Sequence, residues 1–197
     1  MSTSKTSIPV KHMVFTALFT AVLCVVAPFS ITVGPIPLSF ATLVIYLAAG
    51  TINWKYATVS ILLYVILGAI GLPVFSNFGS GFHKVVGPTG GFIVGYIPLA
   101  PAIGLVIAIF NYKRWAYILG MVIGTVILYT CGVAWFIFQA SVSLITALMA
   151  CVVPFLIGDS IKIIVASILA PQLRAALPGN AEFGIRNSES GRHDKHE

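Results

Sequence analysis

The sequence predicts an all-α integral membrane protein, a bundle of six transmembrane helices with an outer capping loop between helices three and four. The composition carries the first part of this prediction, because 58% of the 197 residues are hydrophobic and only 8% are charged, whereas soluble domains carry about 25% charged residues. A membrane-spanning helix needs about 20 apolar residues. The length therefore accommodates about six crossings with short connections, and it excludes a sizeable aqueous domain.

Six apolar runs supply the predicted helices. The first, residues 12–29, has the length of a membrane span, whereas a cleaved signal peptide has a shorter apolar core followed by small residues. Pro154 suits the first turn of the last helix, where its missing N–H is not needed. The other five runs are residues 38–52, 57–72, 91–110, 115–138 and 154–173. One membrane domain over residues 1–179 follows.

Three segments lie outside these helices. Residues 71–91 are rich in glycine but retain several phenylalanines, which indicates a folded cap on the outer side. Residues 141–153 are predicted to form a short helix at the outer surface, because a seventh crossing would place Arg174 outside. Residues 180–197 are polar and are interpreted as an unstructured tail, either natural or added for expression, without a functional role.

Basic residues predict the orientation through the positive-inside rule. A cytoplasmic N-terminus leaves only Lys84 in the predicted outer loops, so both termini are expected in the cytoplasm. The net charge of +6 does not indicate nucleic-acid binding, because the basic residues are scattered rather than clustered on one polar face. The basic residues placed inside are Lys5, Lys11, Lys55, Lys113, Arg114 and Arg174.

No enzyme site is predicted. The three cysteines lie inside apolar runs without paired spacing, which indicates neither a disulfide framework nor a metal site. A Walker A motif is absent from the sequence, and no catalytic set of serine, histidine and carboxylate is expected, because His83 and Asp159 lie on different predicted elements. We therefore expect a protein without cofactor or metal, whose transport, if it transports, is passive or energised by another protein.

Asp159 is the only carboxylate in the predicted membrane domain, since the other four acidic residues lie in the tail. A lone aspartate in a membrane helix costs about 2.5–3.5 kcal/mol on insertion scales, so it should face the bundle interior beside a partner. Lys162 follows at i+3 on the same helix face. The pair is either a structural pin for helix six or, as we favour, part of a polar ligand site.

The cap supplies further candidate ligand contacts. Asn77 has an amide that both donates and accepts hydrogen bonds. Gly90 and Gly91 open helix four, whose first N–H groups can hold a carboxylate, and Tyr96 follows within two turns. Phe75 and other aromatic residues can wall an apolar pocket. Together these residues predict a small-molecule pocket that opens outward.

Four blocks in the same order along the chain resemble the BioY family, the biotin-specific S components of energy-coupling factor (ECF) transporters. The blocks are GPIPLSFAT at 34–42, LGAIGLPVF at 67–75, GPTGGF at 87–92 and PFLIGDSIK at 154–162. The resemblance implies a six-helix subunit of a bacterial cell membrane that captures biotin from outside. It also implies a membrane-embedded coupling subunit and two cytoplasmic ATPase subunits as partners, with contact to the coupling subunit through Ala17 and Ala21. By itself, that alanine pair would indicate only helix packing.

Biotin also suits the predicted pocket chemically. Asp159 and Asn77 can satisfy its ureido ring, and aromatic walls suit its thiophane ring and aliphatic tail. Lys162, Thr42 or the N–H groups near Gly90 and Gly91 can take its carboxylate, with Gln139 a weaker choice. Ser39 and Phe40 depart from the commoner family pattern. Two rival functions are a self-sufficient secondary carrier or facilitator for another vitamin or small solute, and a membrane scaffold that transports nothing.

Overall fold

A computed structural model describes residues 10–33 and 36–177 as eight α-helices and one two-stranded sheet. The helices are α1 (Val10–Val26), α2 (Ala41–Thr51), α3 (Trp54–Ala69), α4 (Phe82–Val86), α5 (Gly90–Ile109), α6 (Arg114–Ala140), α7 (Leu144–Cys151) and α8 (Val153–Ala176). The strands are β1 (Ser30–Val33) and β2 (Ile36–Ser39). The predicted tail at 180–197 lies outside the described residues.

Each of the six predicted apolar runs contains a helix. In the described chain, α5, α6 and α8 are long and apolar enough to cross a membrane, whereas α1, α2 and α3 have 17, 11 and 16 residues. At 1.5 Å per residue, α2 extends about 16 Å, roughly half of a hydrocarbon core. The protein is therefore mostly helical, with three of the six main helices shorter than a full span.

The prediction of an all-α fold was wrong at Ser30–Val33 and Ile36–Ser39, which pair as two antiparallel strands, here called the hairpin. Ser30 pairs with Ser39 and Val33 with Ile36. The run of β-branched residues from Ile31 to Val33 favours an extended backbone, and Pro37 on β2 cannot donate a hydrogen bond within a helix. The predicted second helix therefore begins at Ala41 rather than at residue 38.

The segment between α3 and α5 is folded, as the sequence predicted for residues 71–91. It contains a 3₁₀ turn at Ser76–Phe78 and the short helix α4. The Phe75 N–H donates to the Gly79 carbonyl at 3.0 Å, and the Gly81 N–H donates to the Gly68 carbonyl at 2.7 Å. These bonds attach the segment to itself and to the end of α3.

The helix predicted within residues 141–153 is present as α7. Its N-cap is Ser143, whose side chain accepts a hydrogen bond from the Thr146 N–H. Pro154 lies in the first turn of α8, as predicted. A tight turn thus leads from α7 into α8, the helix that carries Asp159 and Lys162.

Pairwise helix packing builds the core. The most extensive contact joins α5 to α6, and α2 packs against α8 and α1 against α3. Glycines allow the first of these approaches, because a Cβ at Gly124 would lie 2.7 Å from the Ile103 side chain. The packing leaves an opening between β2, α2, α5, α6 and α8, and the candidate site lies there.

Candidate functional site

A cavity of about 210 Å³ lies between the helices and the segment that joins α3 to α5. This volume far exceeds that of one water, which occupies about 30 Å³ in the liquid. Seven residues on β2, α2, α6, α8 and the α3–α5 segment supply polar side chains to its wall: Ser39, Thr42, Ser76, Asn77, Lys84, Tyr129 and Asp159, with Lys162 beside them. The remaining wall is apolar or aromatic: Ile36, Pro37, Leu38, Phe75, Phe92, Ile93, Leu128 and Phe155, with Thr89 and Tyr96 adding hydroxyl groups.

Asp159 and Lys162 form a buried ion pair on α8. Their Oδ1 and Nζ atoms are 2.9 Å apart, and the residues are 4% and 7% exposed. The predicted contact across i+3 is therefore present, and it faces the cavity rather than the outer surface of the bundle. Asp159 is the only carboxylate side chain within residues 10–33 and 36–177.

Two hydroxyl groups complete the surroundings of Asp159. The Tyr129 hydroxyl donates to Oδ2 at 2.7 Å, and the Thr42 hydroxyl lies 3.4 Å from Oδ1. A carboxylate offers about four acceptor positions, and Lys162, Tyr129 and Thr42 together take up to three. One acceptor position on Asp159 thus stays available toward the cavity.

The Lys162 ammonium already has as many acceptors as protons. It donates to the Ser39 carbonyl at 2.8 Å, to the Thr42 hydroxyl at 3.0 Å and to Asp159. A lysine ammonium has three donors. Lys162 therefore binds α8 to the end of β2 and the start of α2, and these bonds explain how a buried cation is tolerated here.

Tyr96 contributes a hydroxyl that makes no hydrogen bond within the described residues, although the side chain is 93% buried. The hydroxyl borders the cavity, so a polar ligand group there would satisfy it. Tyr96 thus supplies a hydroxyl that a ligand in the cavity can reach.

Asn77 and Phe75 reach the cavity from the α3–α5 segment. The Asn77 Oδ1 atom accepts from the Ser30 hydroxyl at 2.8 Å, and its backbone has a positive φ of 58°. Phe75 is buried, with its ring against Gly68 and edge-on to Tyr64 at 5.6 Å between centroids. The hairpin and α3 thus position both predicted site residues.

Three other predicted site residues lie outside the cavity wall. A Cβ on Gly90 would overlap the Val85 carbonyl, and one on Gly91 would overlap Trp135 of α6. These two glycines therefore permit close packing of α5. Gln139 is exposed and donates to the Val86 carbonyl at 3.1 Å. These three residues do not line the cavity, and their contact with a ligand stays a prediction.

Sequence reasoning missed Tyr129, Lys84 and Thr89 as site residues. Tyr129 lies in the middle of α6, where the sequence alone does not distinguish a ligand-binding tyrosine from a packing residue. Only the fold brings its hydroxyl to Asp159, which is 30 positions away in the sequence. Lys84 was noticed only as the single basic residue of the predicted outer loops. Its isolation from the other basic residues was the available signal.

The predicted contact pair Ala17 and Ala21 lies on the exposed face of α1. An adjacent face carries Thr16, Thr20 and Leu23, which are buried. Thr20 donates to the Ser60 carbonyl at 3.2 Å, and Ser60 donates to the Thr16 carbonyl at 3.0 Å. The alanines therefore do not mediate packing of α1 inside this chain, and they remain accessible to another protein.

Comparisons with known proteins agree with one another. The BioY family model matches residues 1–179. The "Biotin transporter BioY" of Thermotoga maritima is 38% identical over 165 residues, which cover 83% of this chain and 96% of that protein. The "Probable biotin transporter BioY" of Pyrococcus horikoshii is 34% identical, with the same coverage. The crystal structure of the S-component for biotin from an ECF-type ABC transporter matches with a TM-score of 0.78 and 25% identity, over 89% of this chain and 95% of that one.

Proposed function

The chain belongs to the BioY family, and from this premise we propose that it is the substrate-capture (S) component of an ECF-type importer that binds biotin. Family membership makes it a transport protein rather than an enzyme. The single observation that carries the proposal is the buried Asp159–Lys162 pair on the wall of a cavity, in a chain whose described part has no other carboxylate.

The polar groups of the cavity suit a cyclic urea. The ureido ring of biotin presents two N–H donors and one carbonyl. Asp159 has an acceptor position free for an N–H, and the Tyr96 hydroxyl, which has no hydrogen-bond partner among the described residues, can donate to the carbonyl. Satisfying such groups avoids about 1–3 kcal/mol for each one that would otherwise be buried unpaired.

The apolar part of the wall suits the rest of the molecule. Phe92 and Phe155 face each other with ring centroids 6.5 Å apart, and Phe75 lies on another side. Such surfaces favour a thiophane ring and an aliphatic chain over a sugar or a nucleotide. The chemistry of the wall therefore supports biotin as the substrate.

Basic residues support an orientation with both termini in the cytoplasm and six crossings of the cell membrane. A second cleft shares no lining residue with the first, and its wall includes Lys11, His12, Asn53, Tyr112 and Arg174. These residues come from the start of α1, the α2–α3 and α5–α6 links and the end of α8. The predicted inner positions therefore meet at one end of the bundle, as the positive-inside rule requires.

The exposed face of α1 supports docking to a membrane-embedded coupling subunit. Small residues let helix backbones approach closely within a membrane. Ala17 and Ala21 are exposed there beside Met13, Leu18 and Val25, which are 52–66% exposed. We propose that this face binds the coupling subunit, which two cytoplasmic ATPase subunits energise.

Calorimetric titration of the purified, detergent-solubilised chain tests substrate identity. We expect saturable binding of biotin and no binding of other vitamins such as thiamine or riboflavin at the same concentrations. A chain that binds another vitamin in preference to biotin contradicts the proposal. A chain that binds no small molecule at all supports a scaffold instead.

A further inference from the structure

Lys84 is the second basic residue on the cavity wall, and it has no charged partner within the described residues. Asp159 and Lys162 neutralise each other at 2.9 Å. Asp159 is the only carboxylate within the described residues, so Lys84 forms no ion pair there, and its ammonium makes no hydrogen bond within them. The described cavity thus carries one uncompensated positive charge, which matches a ligand with a single negative charge.

Lys162 is poorly placed to bind the anionic end of a ligand. Its three protons already go to Ser39, Thr42 and Asp159. A ligand carboxylate that displaced one of these acceptors would also lie within a few ångströms of the Asp159 carboxylate, and two buried like charges at that separation repel strongly. The deep end of the cavity therefore favours N–H donors, and an anion is favoured elsewhere.

The aliphatic stem of Lys84 packs on the α3–α5 segment. A Cβ at Gly79 would lie 2.9 Å from the Lys84 Cε atom, so the aliphatic stem rests directly on the glycine backbone. That backbone is held by the hydrogen bond from the Phe75 N–H to the Gly79 carbonyl, and from the Gly79 N–H to the Ser76 carbonyl. Phe75 and Ser76 both line the cavity. Lys84 is half-buried, so its side chain is not enclosed by the bundle.

We propose that Lys84 recognises the carboxylate of biotin, so that the ligand binds with its ureido ring toward Asp159 and its carboxylate toward α4. This assignment rests on the proposed function and adds a direction to it. It also makes Lys84 the residue that selects the free acid over neutral derivatives of the same ring and chain.

Paired titrations with biotin and biotinamide test this assignment, because the amide keeps the ring and the chain and lacks the charge. For Lys84→Gln we expect biotin affinity to fall about tenfold and biotinamide affinity to stay unchanged. Lys84→Arg should retain most of the preference for the acid. Lys113→Gln removes an exposed cation before α6, outside the cavity wall, and should change neither affinity.

A second variant moves the charge without removing it. Gly79→Ala places a methyl group against the Lys84 stem, which is flexible enough to shift. We expect this variant to weaken biotin more than biotinamide and to keep the melting temperature within a few degrees. Raising the salt concentration should likewise weaken biotin binding to the wild type and leave Lys84→Gln unaffected, since salt screens a partly exposed pair.

The possible results are distinguishable. If Lys84→Gln weakens both ligands equally, or changes neither, the assignment is overturned while biotin capture stands. If the wild type binds neither ligand, the proposed function itself is overturned, and the assignment with it.

Discussion

The Asp159 carboxylate is held inside an apolar bundle by Lys162, Tyr129 and Thr42. Asp159→Asn keeps the size of the side chain and an oxygen for Lys162, but it removes the charge that attracts an N–H of the ligand. We expect biotin affinity to fall at least about tenfold, or about 1.4 kcal/mol, with the protein still folded. Calorimetric titration measures the affinity, and a thermal melt in detergent reports the fold.

Two further variants separate binding from stability. Tyr46→Phe removes a buried hydroxyl that forms a hydrogen bond of 2.6 Å with Thr125 outside the cavity wall. It should leave biotin affinity within about twofold of the wild-type value.

Lys162→Met alone should lower the melting temperature, because it leaves Asp159 buried without its cation, a change worth about 3–5 kcal/mol. Adding Asp159→Asn to it should recover stability without recovering binding. Wild-type affinity in that double variant would show that the pair is only a structural pin.

At the scale of residues, the sequence predicted those groups whose chemistry is unusual for their surroundings. A lone carboxylate with a lysine at i+3 in an apolar run predicted the Asp159–Lys162 contact before any fold was known. Tyr129 carried no such signal, since tyrosines are common in membrane helices. Gly90 and Gly91 were expected beside the ligand because the first N–H groups of α5 can hold a carboxylate. The absence of a Cβ at these positions accommodates Val85 and Trp135, and the contact with a ligand stays a prediction.

At the scale of elements, the end of α3 and the α3–α5 segment depend on one close approach. Gly68 faces the ring of Phe75, where a Cβ would overlap the ring. Gly68→Ala should therefore displace Phe75 from the cavity wall and destabilise the protein by about 1–3 kcal/mol, as overpacking does. Thermal melts and biotin titrations should both register the change.

The matched control combines Gly68→Ala with a smaller side chain at position 75. Phe75→Leu should itself weaken packing, but Gly68→Ala combined with Phe75→Leu should cost less stability than the sum of the two single changes. Strict additivity would mean that the Phe75 ring does not limit the space at Gly68.

The exposed face of α1 has a prediction of its own. Replacing Ala17 or Ala21 by phenylalanine should leave biotin binding unchanged, because neither residue lines the cavity, and should abolish uptake that depends on the coupling subunit. The measurement is ATP-driven uptake of labelled biotin into proteoliposomes. Val126→Phe, on an exposed part of α6, is the control and should transport normally. Normal uptake by both the Ala17→Phe and the Ala21→Phe variant would exclude this face of α1 as the docking surface.

Helices were predictable at this scale because continuous apolar runs identify them, whereas the hairpin was not. Its strands have four residues each, too short for an alternating pattern to stand out beside the apolar helices. Its effect on the site is large, since β2 places the Ser39 carbonyl against Lys162. The hairpin also explains why α2 is shorter than the run that predicted it.

At the scale of the whole molecule, the proposal predicts that this chain alone does not pump. In proteoliposomes we expect biotin binding without accumulation by the chain by itself, and ATP-dependent accumulation once a coupling subunit and two ATPase subunits are added. A proton gradient should not substitute for ATP. Accumulation driven by such a gradient in the absence of partners would support a secondary carrier.

The crossed hydroxyl bonds between α1 and α3 have a mechanical consequence. The Thr20 and Ser60 hydroxyls each lie within hydrogen-bond distance of a carbonyl of the opposite helix as well as of one in their own helix, so they couple α1 to α3 in surroundings without water to compete for these contacts. A displacement of α1 is therefore expected to be passed on to α3. Since the end of α3 packs against Phe75, a movement that begins at the outer face of α1 would reach the aromatic wall of the cavity.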